Sequence, residues 1–229
     1  MKIKLDSIVT AMLVICAVIT TGVVIRRELL VPRTASDSTE QKPIFIKDWR
    51  ADLAHGVRIG SSDASVQLIE FADFECPFCG SFHRTLKAVR ERYPKDLALT
   101  YVHFPIPGHR FAIPAARAAE CASVQGRFEA MYDQLYEGQE SFGLKPWSDY
   151  AAAAGVPDLA QFAVCIGKSD PIPLVEEGKQ LGAQIDVHGT PTVVISGWKL
   201  GRPPSEQELD AMVKAVLAGK EPVAGAGKS

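Results

Sequence analysis

The strongest hydrophobic signal along the chain is the run from Ile8 to Ile25, in which no side chain is charged. Crossing a bilayer takes about 20 apolar residues, with a lower limit near 17. A cleaved signal peptide is the competing interpretation, but its apolar core is usually about 7–15 residues long and a small-residue cleavage site should follow. Here Arg26 and Arg27 follow instead. The run therefore predicts an uncleaved transmembrane helix in a membrane anchor over residues 1–33, whose orientation the flanking charges do not settle.

Short apolar runs and helical periods alternate along the rest of the chain, after a polar stretch at 34–47 that predicts a linker. Short runs of strand-forming residues are typical of β-strands, whereas apolar residues three and four positions apart are typical of helices. The predicted elements are a strand at 66–71, a helix at 76–92, a strand at 97–104, a helical stretch at 110–184, a strand at 192–195 with a partner at 198–200, and a helix from 205.

This order of elements predicts an α/β domain over residues 48–218, with a helical insertion at about 108–185. The last helix opens at Ser205 and has Glu208 three residues later, which is the pattern of a capping box. Residues 219–229 are rich in Gly, Ala and Lys, and we expect them to form a flexible tail.

Composition narrows the possible functions. Hydrophobic residues make up 47% of the 229 residues and charged residues 23%, with a formal net charge of −2. These values are ordinary for a globular protein and too apolar for a disordered one. Because a nucleic-acid-binding protein normally has a basic face, we expect no nucleic-acid partner.

The chemistry is concentrated in Cys76-Pro77-Phe78-Cys79, which directly follows the first predicted strand of the domain. If Cys76 begins a helix, its sulfur faces unpaired backbone N–H groups, which stabilise a thiolate and lower the cysteine pKa. This context is typical of a thioredoxin-like redox site. An inert disulfide and a zinc half-site are the alternatives. Zinc would need a second pair of ligands, and Cys121 and Cys165 lie far apart without a C-x-x-C or H-x-x-x-H motif.

A second candidate motif, Gly189-Thr190-Pro191-Thr192, leads into the apolar strand at 193–195. A proline before a strand is most often a plain turn residue, and only about 5% of X-Pro bonds in folded proteins are cis. The redox motif raises those odds, and we predict a cis bond before Pro191.

Several blocks together resemble the DsbA-like branch of the thioredoxin superfamily. They are Gly60–Ala64, Ile69–Cys79, Ala115–Phe128 and Gly189–Thr192. The resemblance covers about residues 55–218. It implies a thioredoxin fold with an inserted helical domain, here preceded by the one N-terminal transmembrane helix.

The resemblance assigns roles to individual residues. Cys76 matches the exposed, attacking cysteine and Cys79 the buried, resolving one. Pro191 matches the cis-proline that faces the disulfide. Glu70 matches a buried acid that assists proton movement at Cys79, although a solvated strand residue is the alternative interpretation. The backbone of Thr190 matches the substrate-pairing edge.

The expected client-binding residues are therefore Thr190 and Pro191, together with Phe78 inside the motif. Phe78 and Pro77 offer no side-chain hydrogen bond to a thiolate at Cys76, so the helix end must supply most of its stabilisation. We expect neither a cofactor nor a metal ion at this site.

The implied activity is that of a protein-disulfide oxidoreductase that oxidises reduced, unfolded exported proteins and is reoxidised by a membrane quinone-linked protein. Disulfides persist outside the cytosol. The resemblance therefore implies a bacterial inner membrane with the catalytic domain on its periplasmic or extracellular side. A dedicated thiol reductant and a copper-delivery protein, with His188 as the third ligand, are the alternatives.

Two cysteines, Cys121 and Cys165, remain within the predicted insertion. Some members of the family have a cysteine at both places, where they form a non-catalytic bridge. Leftover cysteines in an oxidising compartment also tend to pair. We therefore expect a structural Cys121–Cys165 disulfide, with two buried free thiols as the alternative.

Overall fold

The apolar run at the N-terminus forms helix α1 (Leu5–Ile25). The computed structural model describes residues 5–25, 42–52 and 55–223 of the chain. Among these residues, no helix combines the length and the apolar character that a membrane span requires. The rest of the predicted anchor, the linker up to residue 41 and the tail from residue 224 lie outside the described residues.

The chain divides into two units, residues 1–40 and 41–229, and the second contains a six-stranded mixed sheet. The strands are β1 (Ile44–Phe45), β2 (Val57–Ile59), β3 (Val66–Ala72), β4 (Leu97–His103), β5 (Thr192–Ile195) and β6 (Trp198–Lys199). Their order across the sheet is β1-β6-β5-β3-β4-β2. Only β3 and β4 are parallel, and the other described pairs are antiparallel.

The two parallel strands are central because both of their faces are apolar. Leu68 on β3 packs into one hydrophobic cluster, whereas Ile69 and Phe71 pack into another, as the alternation of side chains along a strand requires. All seven residues of β4 are buried. A strand covered on both faces has a near-continuous apolar sequence, which is why residues 66–71 were recognisable as a strand.

Helices connect and cover these strands. They are α2 (Trp49–Asp52), α3 (Pro77–Arg92), α4 (Ala112–Ser123), α5 (Phe128–Glu137), α6 (Trp147–Ala153), α7 (Leu159–Ile166), α8 (Pro173–Gln184) and α9 (Glu206–Leu217). Helix α3 links β3 to β4, and α4 to α8 all lie between β4 and β5 in the sequence. The predicted capping box at Ser205 and Glu208 opens α9. The mixed α/β fold predicted from the sequence is confirmed.

The predicted boundaries of the domain are too narrow at both ends. Ile44 and Phe45, inside the predicted linker, form β1 and pair with β6. The ring of Phe45 lies 5.4 Å from that of Trp198, edge to face. At the other end Val223, inside the predicted tail, is buried. Both segments are short and flanked by polar residues, so neither has the periodicity that would have marked it as part of the core.

The helical insertion contains a disulfide between Cys121 on α4 and Cys165 on α7. The two Cα atoms are 5.8 Å apart, which is an ordinary separation for a disulfide. This bridge lies outside the C-x-x-C motif and leaves Cys76 and Cys79 as a separate pair.

Removing this bridge should weaken the fold without changing the C-x-x-C motif. For the 44-residue separation of Cys121 and Cys165, chain-entropy estimates give at most about 4 kcal/mol of unfolding free energy. We expect the double variant Cys121→Ala/Cys165→Ala to lose about 2–4 kcal/mol in urea unfolding. Cys16→Ser, which removes an exposed free thiol, is the control. An unchanged urea midpoint in the double variant would contradict the expectation.

Candidate active site

The C-x-x-C motif lies at the N-terminus of α3. Cys76 is the extended residue that precedes the helix, and Pro77 occupies the first helical turn, where a missing N–H leaves no gap. Phe82, Leu86 and Val89 on the inner face of α3 are buried in the core. These contacts fix the helix axis, so the position of Cys76 is set by the packing of the whole helix.

The structure contains Cys76 and Cys79 as free thiols, which is the reduced form of the motif. The pKa of Cys76 is lowered to about 5, mainly by a hydrogen bond from the Cys79 thiol, against an opposing effect of burial. The nearby Thr190 side chain and hydrogen bonds from the backbone N–H groups of Cys79 and Phe78 lower it further. The thiolate is therefore the favoured form of Cys76 at neutral pH.

Cys79 has the opposite environment. It is completely buried, and burial together with its hydrogen bond to Cys76 and the negative charge of Glu70 raises its pKa far above the ordinary value. Cys79 therefore stays protonated while Cys76 ionises. Of the two, Cys76 is therefore the one available as a thiolate near neutral pH, and the thiolate is the nucleophile in disulfide exchange.

Cys76 is more enclosed than the family resemblance implies. The residue is only 4% exposed, because the segment before β5 lies against it. The Cys76 thiol donates to the Thr190 carbonyl oxygen, with a distance of 3.3 Å between sulfur and oxygen. The Thr190–Pro191 peptide bond is cis, as the sequence analysis predicts.

Thr190 contributes more than its backbone. Its hydroxyl oxygen is buried and has no hydrogen-bond partner among the described residues, so it is free to donate to the Cys76 thiolate. Sequence reasoning considered only the backbone at this position. A surface pocket of about 290 Å³ adjoins Thr190 and Pro191 and is lined partly by His188 and Arg202.

Glu70 is buried inside the sheet, not solvated. It lies on β3, opposite Tyr101 of β4 and Val193 of β5. Both carboxyl oxygens are buried without a hydrogen-bond partner among the described residues. Burial, and after it the negative charge of Cys76, raises the pKa of Glu70 to about 8. The carboxyl is therefore mainly protonated at pH 7 and interacts electrostatically with both cysteines.

The turn between β3 and α3 is held by side chains that the sequence analysis did not single out. Gln139 Nε2 donates to the carbonyl oxygens of Phe74 at 2.6 Å and of Cys76 at 2.9 Å. A Cβ atom at Gly80 would lie 2.6 Å from Gln139 Oε1, so only glycine leaves room for this contact. No motif marks Gln139, because it comes from a 3-10 helix in the insertion and reaches the turn only in the folded chain.

Phe78 and His188 occupy different surroundings from the two sulfurs. The Phe78 side chain projects into solvent and the residue is 71% exposed. His188 Nε2 is 2.9 Å from Asp186 Oδ1, and both side chains are largely exposed. Within the described part of the chain, no group of three His, Cys, Asp or Glu side chains could hold a metal ion. The structure therefore does not bring His188 to the two thiols as a third ligand.

Comparison with known proteins identifies relatives of this domain. A family model described as Thioredoxin matches residues 53–215. The chain is 35% identical to the Na(+)/H(+) antiporter NhaA 1 of Mycolicibacterium gilvum over 167 residues, which cover 70% of this chain and 26% of that protein. It is 32% identical to the Na(+)/H(+) antiporter NhaA 3 of Salinispora tropica over 162 residues. These residues cover 69% of this chain and 24% of that protein. The chain thus spans about a quarter of the length of these curated relatives.

Solved structures share the fold. BdbD from Bacillus subtilis, in its oxidised form, is 19% identical with a TM-score of 0.65, covering 73% of this chain and 95% of that one. The catalytic domain of Proteus mirabilis ScsC is 25% identical with a TM-score of 0.60, and the match covers 72% of this chain and 90% of that one. Wolbachia pipientis alpha-DsbA1 is 18% identical, also with a TM-score of 0.60, and the match covers 71% of this chain and 90% of that one.

Proposed function

The chain belongs to the thioredoxin family, and we propose that it is a thiol:disulfide oxidoreductase that introduces disulfides into exported proteins through Cys76 and Cys79. The observation that carries the proposal is the opposite ionisation of two neighbouring cysteines at a helix N-terminus. A cysteine with a low pKa is a good leaving group, and this property favours an oxidant.

The first step begins from the Cys76–Cys79 disulfide. A thiolate of a reduced client attacks the Cys76 sulfur and forms a client–Cys76 disulfide, while the Cys76–Cys79 bond breaks. Both electrons of that bond stay on Cys79, which leaves as a thiolate. Because burial strongly disfavours this thiolate, it must take up a proton at once.

We assign the supply of that proton to Glu70, whose buried carboxyl acts electrostatically on Cys79. Its pKa of about 8 keeps the carboxyl protonated at neutral pH, and a general acid works best when its pKa lies near the working pH. A proton moving from Glu70 to Cys79 would leave a buried carboxylate, which must then be reprotonated from solvent.

The second step releases the oxidised client. Another thiolate of the client attacks the client sulfur of the mixed disulfide, a disulfide forms within the client, and Cys76 leaves as a thiolate. The low pKa of Cys76 makes this departure favourable. The enzyme ends as a dithiol and must be reoxidised, which we assign to a quinone-linked membrane protein.

The client would lie extended along the segment that contains Thr190 and Pro191. The Cys76 sulfur lies 3.3 Å from the Thr190 carbonyl oxygen, so a client strand paired with the backbone of this segment would lie beside the reacting sulfur. Main-chain hydrogen bonds of this kind give broad specificity. The exposed ring of Phe78 would cover an apolar part of the client on the other side of the motif.

The proposed location is a bacterial inner membrane, anchored through Ile8–Ile25, with the catalytic domain on the periplasmic or extracellular side. The support is the uncharged run in the sequence and the persistence of disulfides outside the cytosol. The NhaA relatives share with this chain only a quarter of their length, so ion transport is not part of the proposal.

A client-oxidation assay tests the proposal. The full chain in its disulfide form is mixed with a reduced, unfolded protein, with glutathione disulfide as the terminal oxidant, and client thiols are counted by quenched alkylation. We expect client disulfides to form about tenfold faster or more than with Cys76→Ser, a difference of about 1.4 kcal/mol in the barrier. Faster reduction of an oxidised client than oxidation of a reduced one would identify a dedicated reductant instead.

A further inference from the structure

The Asp73 carboxylate is buried three residues before Cys76. It accepts hydrogen bonds from three nitrogen donors. Its Oδ1 accepts from the backbone N–H of Glu75 at 2.7 Å. Its Oδ2 accepts from the backbone N–H of Ile106 at 2.8 Å and from His109 Nδ1 at 2.6 Å. Because an ionised carboxylate accepts only, Nδ1 of His109 carries the hydrogen.

These contacts fasten the loop at 105–111 to the turn that carries the redox cysteine. The backbone oxygen of Asp73 accepts from the N–H of Cys76 at 3.1 Å. The Glu75 carboxylate accepts from the N–H of Phe111, the residue before α4. The loop therefore follows β4 back to the N-terminus of α3, and the His109 side chain contacts the turn from the loop.

The charges that raise the pKa of His109 come from Asp73, Glu75 and Cys76. Burial lowers the pKa of His109, but the Asp73 hydrogen bond and the charges of Asp73, Glu75 and Cys76 outweigh it and raise the pKa above the ordinary value. The neighbouring Arg110 guanidinium lies over the Phe111 ring, 5.1 Å from its centroid. The surroundings of His109 therefore favour its imidazolium form more than those of a free histidine do.

A positive group near Cys76 would stabilise its thiolate, and the Cys-Pro-Phe-Cys motif itself contains no positive side chain. Phe78 follows Pro77 between the two cysteines, and it cannot donate a hydrogen bond to the Cys76 sulfur. An opposite charge nearby favours the ionised form of a cysteine. His109 reaches the same end of α3 from the loop after β4.

We propose that His109 is a positioning residue of the redox site: its imidazolium, paired with Asp73, fixes loop 105–111 against the turn before Cys76 and supplies the positive charge that the Cys-Pro-Phe-Cys motif lacks. The inference rests on the proposed thiol chemistry. Reduction of the disulfide adds two electrons and leaves Cys76 as a thiolate and Cys79 as a thiol, with one proton taken up. The imidazolium thus stabilises the reduced form and makes the disulfide more oxidising.

The test compares His109→Gln with His109→Ala in the full chain. Glutamine can keep a hydrogen bond to Asp73 but has no charge. Thiolate absorbance near 240 nm, followed against pH in the reduced protein, gives the Cys76 pKa. We expect both variants to raise that pKa by about 0.5–1 unit, which is a three- to tenfold smaller thiolate fraction below the titration midpoint. The equilibrium with glutathione should shift toward the protein disulfide by the same factor.

His55→Gln is the matched control. His55 also pairs with a carboxylate, with 3.4 Å between its Nδ1 and Glu177 Oε2, but both side chains are about half exposed and neither residue belongs to the C-x-x-C motif or to loop 105–111. This variant should leave the Cys76 pKa unchanged. Thermal unfolding of each variant separates an altered site from a failure to fold.

Three outcomes are decisive. A His109→Gln protein that folds and has the wild-type Cys76 pKa would overturn the inference, whatever His109→Ala does, because the role would then be structural only. A wild-type Cys76 pKa near the free value of about 8.5 would overturn the proposed thiol chemistry itself. Support requires a low wild-type Cys76 pKa, a raised pKa in His109→Gln, and an unchanged pKa in His55→Gln.

Discussion

Replacing Cys79 by serine should convert the protein into a trap for its clients. Cys76 would still form a disulfide with a client through an added oxidant, but the resolving thiol would be missing, so mixed disulfides would accumulate. We expect turnover to fall by about a hundredfold or more, equivalent to about 2.7 kcal/mol in the barrier. Non-reducing gels and mass spectrometry of the full chain would show client peptides attached at Cys76.

Two variants make this result specific. Cys76→Ser should lose both turnover and trapping, because the buried Cys79 has a strongly raised pKa and cannot replace the attacking thiolate. Cys16→Ser removes the other free thiol, which is exposed, and should change neither. Client peptides captured at Cys79 in the Cys76→Ser protein would show that the two roles have been assigned the wrong way round.

The second large effect is a pH-dependent stability that Glu70 imposes. An unfolded glutamate ionises near pH 4.5, whereas the pKa of Glu70 in the folded protein is about 8. Below pH 4.5 both states are protonated. Between pH 4.5 and 8 only the unfolded state releases the proton, so the folded state loses stability as the pH rises, by about 5 kcal/mol in total. Glu70→Gln should remove this loss.

The measurement is the difference in unfolding free energy between Glu70→Gln and the wild type, both reduced, at several pH values. Taking the difference removes the opposite contribution of Cys76, whose lowered pKa stabilises the reduced protein as the pH rises above about 5. The advantage of Glu70→Gln should grow from pH 5 to pH 9. Exposed Glu140→Gln is the control. A difference that stays constant with pH would mean that Glu70 ionises freely in the folded protein.

Much of the domain could be predicted because its central strands and the redox motif are local features. The apolar run at 66–71 and the helical spacing in α3 follow directly from burial on both faces of β3 and on one face of α3. The motifs together with the family resemblance led to the cis bond before Pro191 and the Cys121–Cys165 bridge, which the structure contains. Neither feature follows from periodicity.

The contacts around the site could not be predicted because they join distant parts of the chain. Gln139 reaches the Cys76 carbonyl from 63 positions away, and His109 reaches Asp73 from 36 positions away. Neither residue belongs to a motif. The buried, unpartnered hydroxyl of Thr190 also depends on packing alone. The strand β1 could not be predicted because its two residues are too few to show an alternation of apolar and polar positions.

The most direct test of the central claim is the redox potential of the Cys76–Cys79 pair. The full chain is equilibrated with glutathione buffers of defined composition, and the thiol fraction at Cys76 is measured by differential alkylation and mass spectrometry. A thiolate stabilised as the lowered pKa of Cys76 indicates should give a potential of about −180 mV or higher, toward the value of about −120 mV that is typical of a strong oxidant. A potential near −270 mV, as in a thioredoxin-like reductant, would contradict the account.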